Sequence, residues 1–298
     1  MPKSDERLTK APHRLAFASL LTGTAALAFG AWLVRLADTG PVAAAFWRVA
    51  LAVPFLLLLA RAVGQPLRWP GRALFIAIAA AAFFFAADLA AWHLSIRLTK
   101  LGNATLFGNV SSFAFAAWGL WLVRRWPSPM QALALLLAAT GSVLLMAQSA
   151  ELSAANLRGD LLALLAGVLY GVYLILVERA RATVEPLPLL VLASSIGAIC
   201  LLPAALAMGE RVMPHNWTPL IALALLSQVV GQGLLVFAIG ELSPLVVGLA
   251  LLTQPAIAAA IGWSVYGERL GWRDWTGAAA IGVALLLVRL RPAPAEPT

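Results

Sequence analysis

The chain has 298 residues, of which 62% are hydrophobic and 11% charged, with a formal net charge of +8. An average soluble domain is about 45–50% apolar and about 25% charged, and a mean hydropathy of +0.89 confirms that most of this surface is not meant for water. The basic residues punctuate the apolar runs instead of clustering on one face, which excludes nucleic acid as a partner, and the single cysteine, Cys200, excludes disulfide frameworks and Cys-based metal sites.

In chain order, the nearly charge-free runs are Leu15–Val34, Thr39–Ala60 (interrupted by Arg48), Ala73–Ile96 (interrupted by Asp88), Leu101–Val123 and Trp126–Ala150. The second half continues with Leu161–Val177, Pro186–Gly209, Val212–Gly240, Leu242–Gly267 and Leu270–Val288, the last with Arg273 and Asp274 near its start. About 20 helical residues cross a hydrocarbon core of ~30 Å. The runs lack the alternation of a barrel strand, so lipid leaves helices as the solution. The fold class is therefore all-α integral membrane, with ten transmembrane helices expected. Lys3, Arg7, Lys10 and Arg14 before the first run, and Ala26-Leu27-Ala28 within it, imitate a cleaved signal. The uncleaved reading is preferred because it preserves an internal symmetry. With both termini in the cytoplasm, Lys and Arg are richer in the inner segments, the bias expected of a multi-pass protein of the cytoplasmic membrane.

That symmetry is a repeat. Phe29-Gly30-Ala31-Trp32 returns as Tyr170-Gly171-Val172-Tyr173, Gly141 as Gly282 and Leu101 as Leu242, always 141 residues on. Pro54 and Pro203 are 149 apart, so the connection after the sixth helix is expected to be longer. The chain divides into a cytoplasmic N-terminal segment 1–14, a first five-helix repeat 15–150, a second 151–290 and a short disordered tail 291–298. Five is odd, so the second repeat enters the membrane inverted. Inverted repeats underlie many secondary transporters, with the solute site near mid-bilayer.

Further motifs carry a resemblance. Val34-Arg35, Gly40-Pro41, Phe46-Trp47-Arg48, Asp88 with Trp92-His93, and Ile96–Met146 with Asn103-Ala104-Thr105 resemble the drug/metabolite transporter superfamily, EamA-type branch. So do Ser243-Pro244, Gln254-Pro255, Gly267-Glu268-Arg269-Leu270, Gly277 and Gly282. The resemblance covers about residues 15 to 290 and implies two inverted five-helix halves that export small metabolites, often amino acids. One departure is Ser111-Ser112-Phe113, where the branch often carries a proline in the fourth helix; the ninth keeps Pro255.

No enzyme signature, glycine-rich phosphate loop or histidine cluster is present, so an enzyme is not expected and no cofactor or metal is implied. Charges inside lipid default to functional hypotheses. Arg48 and Asp88 lie at similar depth, roughly 10–12 Å below the outer boundary at helical rise, which predicts a direct intramembrane ion pair. Its bland reading is a structural clamp; the sharper one makes Asp88 a proton or substrate-amine site. Phe29 with Trp32 and Tyr170 with Tyr173 share helix faces, and the inverted symmetry would bring the four rings to one slot able to stack a planar solute. Arg35, one turn outward of Trp32, could meet a carboxylate or pair with Asp38. Gln228 and Gln232 must be paired or face a wet cavity. Trp92 and Ser95 share the face of Asp88, and His93 is read as interfacial. Trp69, Trp126, Trp217, Trp272 and Trp275 are read as interfacial anchors.

These residues point to a secondary transporter exporting small metabolites by alternating access, amino acids including aromatic ones first among them. The partners implied are a small-molecule substrate and the lipid bilayer. Coupling to protons or to an exchanged solute, and the oligomeric state, stay open at this point. The rivals are efflux of lipophilic cations and a non-transporting membrane scaffold.

Overall fold

The structure, a computed structural model, describes residues 13–99, 101–124, 126–146, 153–266 and 271–290. Most of the expected N-terminal segment 1–14, the tail 291–298 and the motif 267–270 lie outside the described residues. The described residues form fourteen α-helices and one π-helical segment, with no strand among them.

Among the described residues six helical runs are long and apolar enough to cross a membrane: His13–Leu36, Pro41–Ala62, Arg72–Leu98, Leu157–Arg181, Pro186–Ala207 and Thr218–Ile239. The first consists of α1 (His13–Ala28) and α2 (Gly30–Leu36), separated at Phe29. Then come α3 (Pro41–Ala62) and α4 (Arg72–Leu98). The run read as Leu101–Val123 is broken at Asn109 into α5 (Leu101–Gly108) and α6 (Val110–Leu122), and α7 (Pro129–Met146) follows. After α8 (Leu157–Arg181) and α9 (Pro186–Ala207), the last long run contains α10 (Thr218–Ala222), the π-helical Leu223–Gln232 and α11 (Gly233–Ile239). The run read as Leu242–Gly267 is broken into α12 (Pro244–Leu251) and α13 (Gln254–Tyr266), and α14 (Trp272–Leu290) closes the chain. Ten spans were expected; of the remaining four runs two are broken into pieces of 8 and 13 residues, while α7 and α14 are continuous over 18 and 19 residues.

Helix starts follow local chemistry. Pro41, Pro186 and Pro244 each sit at the first turn of a helix, where the missing N–H costs nothing. Two helices end alike. After α3, Gly64 (φ 73) is followed by Gln65, whose N–H donates to Ala60 O at 2.8 Å. After α9, Gly209 (φ 68) is followed by Glu210, whose N–H donates to Ala205 O at 3.0 Å. Both are left-handed glycine stops of the Schellman kind. Each delivers its next side chain to the start of the other helix. The Leu187 N–H donates to Gln65 Oε1 at 3.3 Å, while the Val42 and Ala43 N–H groups donate to Glu210 at 3.2 and 2.8 Å. Helices α3 and α9 therefore lie antiparallel, with two orphan N-terminal donors of α3 and one of α9 satisfied by the connector that leaves the partner helix. Gln65 and Glu210, like Leu187 and Val42, are 145 positions apart, so Pro54 and Pro203 do not correspond. At that offset Pro203 corresponds to Leu58, about one helical turn beyond Pro54 in sequence.

On the face that holds Glu210, Trp47 Nε1 donates to Val212 O at 2.7 Å, and Asp38 accepts the amides of His215 and Asn216 at 2.8 and 3.3 Å. The His215 amide above all, with Asn216 and the nearby charge of Arg211, holds the Asp38 carboxyl below the usual carboxylate range. Asp38 is thus tied to this connector, and no pair forms with Arg35.

Long-range packing pairs α3 with α9, α4 with α8, α6 with α12, α7 with α14, and α1 with the π-helical segment and α11. The α7–α14 contact needs small residues. A Cβ on Gly141 would lie 2.6 Å from Gly277 O and 2.9 Å from Ile281, whereas one on Gly282 would meet nothing within 4 Å. The two glycines are matched by the 141-residue repeat but only one is packed shut. Gly141→Val should therefore lower the yield and melting temperature of detergent-purified protein, the overpacking costing about 1–3 kcal/mol. Gly282→Val should leave both within error, and equal losses would contradict the packing described.

Candidate functional site

In lipid, a broken helical ladder exposes backbone groups that only protein or a water-lined cavity can satisfy. Four such irregularities meet at one cavity of about 670 Å³ including its open mouth. Leu27 reaches it from the end of α1 beside the Phe29 break, Asn109 is itself the α5–α6 break, Gln254 opens α13 after the Leu252–Thr253 break, and Gln232 ends the π-helical segment. Arg48 of α3, Phe85, Asp88, Leu89 and Trp92 of α4, and Gly167 and Tyr170 of α8 complete much of the wall, with Thr105, Gly108, Ser111 and Ser112 beside the α5–α6 break. Loose ends are capped locally: Ser111 Oγ donates to Gly108 O at 2.8 Å and Thr253 Oγ1 to Ala250 O at 2.7 Å.

Arg48 and Asp88 are both buried, at 4% and 7% exposure. The direct ion pair expected from their equal depth is not formed. Arg48 Nε instead donates to Gln228 Oε1 at 3.1 Å, and Gln228 Nε2 donates on to Ser194 Oγ of α9 at 3.1 Å. The guanidinium lies 5.9 Å from the centre of the Phe85 ring. The Asp88 carboxylate has no hydrogen-bond or ion-pair partner among the described residues and faces the cavity. The π-helical segment causes this outcome: it brings Gln228 against Arg48, which fixes one edge of the guanidinium and leaves the rest to the cavity. Two unpaired polar atoms accompany the charges, Gln232 Oε1 and Asn109 Nδ2, both buried.

Of the residues singled out in the sequence, the structure brings Arg48, Asp88, Trp92, Tyr170 and Gln232 to this cavity. Gln228 stands one bond behind it. The four-ring slot is not formed. Tyr170 lines the cavity with its hydroxyl accepting from Gln232 Nε2 at 3.1 Å, and Tyr173 is stacked behind it, 5.6 Å from Tyr170 and 4.5 Å from Phe85. Phe29 and Trp32, 6.3 Å apart, pack instead against a cluster that includes Leu33, Ile96, Ala104 and Leu223. The break at Phe29 divides the first run just where the pair begins, and Leu27 takes its place at the cavity. Arg35 is exposed and does not line the cavity. Ser95 turns back onto Trp92 O at 2.7 Å. His93, read as interfacial, is fully buried within the protein, where its Nδ1–H donates to Pro41 O at 3.0 Å. Thr105, Asn109, Ser112 and Gln254 were missed as cavity residues. The available signal was mid-run polar residues beside a helix break.

The cavity thus offers a carboxylate and a guanidinium that do not neutralise each other, together with amides, hydroxyls and an indole. Such a set is chemically suited to a small solute carrying both charges.

Comparison with known proteins agrees with a transport role. Residues 157–290 match the model of the EamA-like transporter family. A threonine/homoserine exporter, RhtA of Salmonella typhimurium (strain LT2), is 31% identical over 181 residues. RhtA of Escherichia coli (strain K12) is 30% identical over 181 residues. Each alignment takes in 60% of this chain, and the chain spans 59% of the length of these relatives. A solved crystal structure superimposes with a TM-score of 0.78 over 93% of this chain and 96% of that one at 14% identity, a likeness of fold alone.

Because Asp88 has no partner to strand, Asp88→Asn should keep the folded yield and melting temperature close to those of the parent. Arg48→Leu should lower both, since Gln228 Oε1 loses its donor at about 1–3 kcal/mol. Fluorescence-detected size exclusion and thermal melts read the difference. Equal damage from both would mean that the two charges hold each other.

Proposed function

We propose that this chain is an EamA-type exporter of the drug/metabolite transporter superfamily and that it exports amino acids, aromatic ones included, across the cytoplasmic membrane by alternating access. The observation that carries the reading is the cavity lined by Arg48 and Asp88 of opposite charge and unpaired with each other, set among four helix irregularities. Buried charge is costly in lipid, and a solute with complementary poles supplies the missing partners. A dry scaffold has no use for such a cavity, and a carrier of lipophilic cations would have to tolerate Arg48 beside its cargo.

We read the architecture as ten spans in two inverted halves, both termini cytoplasmic, in line with the Lys and Arg bias of the sequence. Several features support the repeat. Helices α3 and α9 have 22 residues each, and the two broken runs have pieces of 8 and 13 residues each. The reciprocal Gln65 and Glu210 caps and the pairing of α3 with α9, α6 with α12 and α7 with α14 relate each element to its counterpart five runs away. Half-helix ends at a midplane site are how such carriers meet charged solutes. In this reading Arg48, Asp88, Trp92, Tyr170 and Gln232 contact the solute. Phe29, Trp32, Arg35, Tyr173 and Gln228 stand behind them or elsewhere.

Counterflow in proteoliposomes tests the reading. Preloaded unlabelled threonine, homoserine or phenylalanine should accelerate entry of its labelled form, and absence of exchange for all amino acids would overturn it. Trp92→Ala should weaken phenylalanine by several-fold more than threonine, since a stacked ring contributes roughly 0.5–1.5 kcal/mol beyond its buried area. Equal losses would remove aromatic stacking from the account.

A further inference from the structure

We propose that Arg48 is the anchor for the solute's carboxylate and Asp88 the anchor for its ammonium, so that the cavity recognises the free head group of an α-amino acid whatever its side chain, with Gln228 and Ser194 acting as positioning residues that aim Arg48. The inference deepens the export reading above and rests on it for the identity of the cargo, although its test does not depend on transport. It replaces two expectations at once: Arg48 and Asp88 as a mutual clamp, and Arg35 as the carboxylate anchor.

A guanidinium has five N–H donors in a planar arrangement. In Arg48 the Nε donor is committed to Gln228 Oε1 at 3.1 Å, and no other hydrogen bond is made by its side chain among the described residues. The Arg48 donor requires an acceptor on Gln228, which fixes the amide with its Nε2 pointing away, where it donates to Ser194 Oγ at 3.1 Å. The relay runs from α9 through the π-helical segment to α3, and its end effect is to hold one edge of the guanidinium while its terminal nitrogens remain available at a cavity wall. Paired terminal donors in one plane match a carboxylate bidentately. Across the same cavity the Asp88 carboxylate, also without a partner, can only accept, and an ammonium supplies the donors it lacks. Two opposite charges that share a cavity without pairing are complementary to the two charges that every free α-amino acid carries at adjacent carbons. Trp92, Thr105 and Asn109 line the same cavity and are left for the solute's side chain.

The test measures equilibrium binding by ligand-induced thermal stabilisation of the purified full chain, in parallel with counterflow. The ligands are threonine, threoninamide (no carboxylate) and 3-hydroxybutanoate (no amine), with phenylalanine, phenylalaninamide and 3-phenylpropanoate as a second set. Each amino acid should bind at least tenfold more tightly than either of its single-pole analogues. Gln228→Leu should reduce the preference of threonine over threoninamide severalfold while leaving the preference over 3-hydroxybutanoate in place. A change in folding alone would scale all ligands together and move no preference. An amide or a deaminated acid that binds as well as the amino acid overturns the inference, whether or not exchange is seen. Head-group preference without counterflow overturns the export reading and leaves the inference standing. Failure of both amino acids to bind overturns both.

Discussion

The structure depends on a constraint that lipid imposes: backbone groups freed by a broken helix must be satisfied by the protein or by water in a cavity. Breaks at Phe29, at Asn109 and between α12 and α13, together with the π-helical run 223–232, would each be unfavourable facing hydrocarbon. They converge, so one polar interior absorbs all four. Asn109, Gln232 and Gln254 carry amides to that interior from the irregular points themselves. The continuous helices α3 and α9 have their ends tied by each other's connectors.

The same interior explains how two charges survive in the membrane. A buried guanidinium loses its water and recovers part of the loss from Gln228 and from the Phe85 ring. A directly paired Arg48 and Asp88 would be electrostatically comfortable and chemically mute. Held on a common cavity but apart, they retain an unmet demand for ligands, which is what a binding site is. Buried polar groups are normally satisfied, so the unpartnered Gln232 Oε1 and Asn109 Nδ2 belong to the same pattern.

Much of the fold was legible in the sequence because its signals are one-dimensional. Long apolar runs, the prolines at the starts of α3, α9 and α12, and the repeated aromatic-glycine motif can all be read by spacing. The candidate site was half legible. Arg48, Asp88, Trp92, Tyr170 and Gln232 stand out as polar or aromatic residues inside apolar runs, and all five meet the cavity. What spacing could not give was azimuth after an irregularity. Regular helical counting carried Phe29 and Trp32 into a slot with the tyrosines, but the break at Phe29 places them against Ile96 and Leu223. Likewise the π-helical segment, invisible in a 29-residue apolar run, decides that Gln228 and not Asp88 takes the Arg48 Nε donor. The matching Gly64-Gln65 and Gly209-Glu210 stops were present in the sequence, but only the contacts identify them as counterparts.

The central claim is that a solute completes the Arg48 and Asp88 charges inside this cavity. A structure of the full chain in lipid nanodiscs, determined with threonine at saturating concentration, tests it most directly. The account predicts solute density between the two side chains, its carboxylate against the Arg48 guanidinium and its ammonium against the Asp88 carboxylate, with the Arg48–Gln228 bond retained. Arg48 and Asp88 closed on each other, or threonine bound away from both, would contradict it.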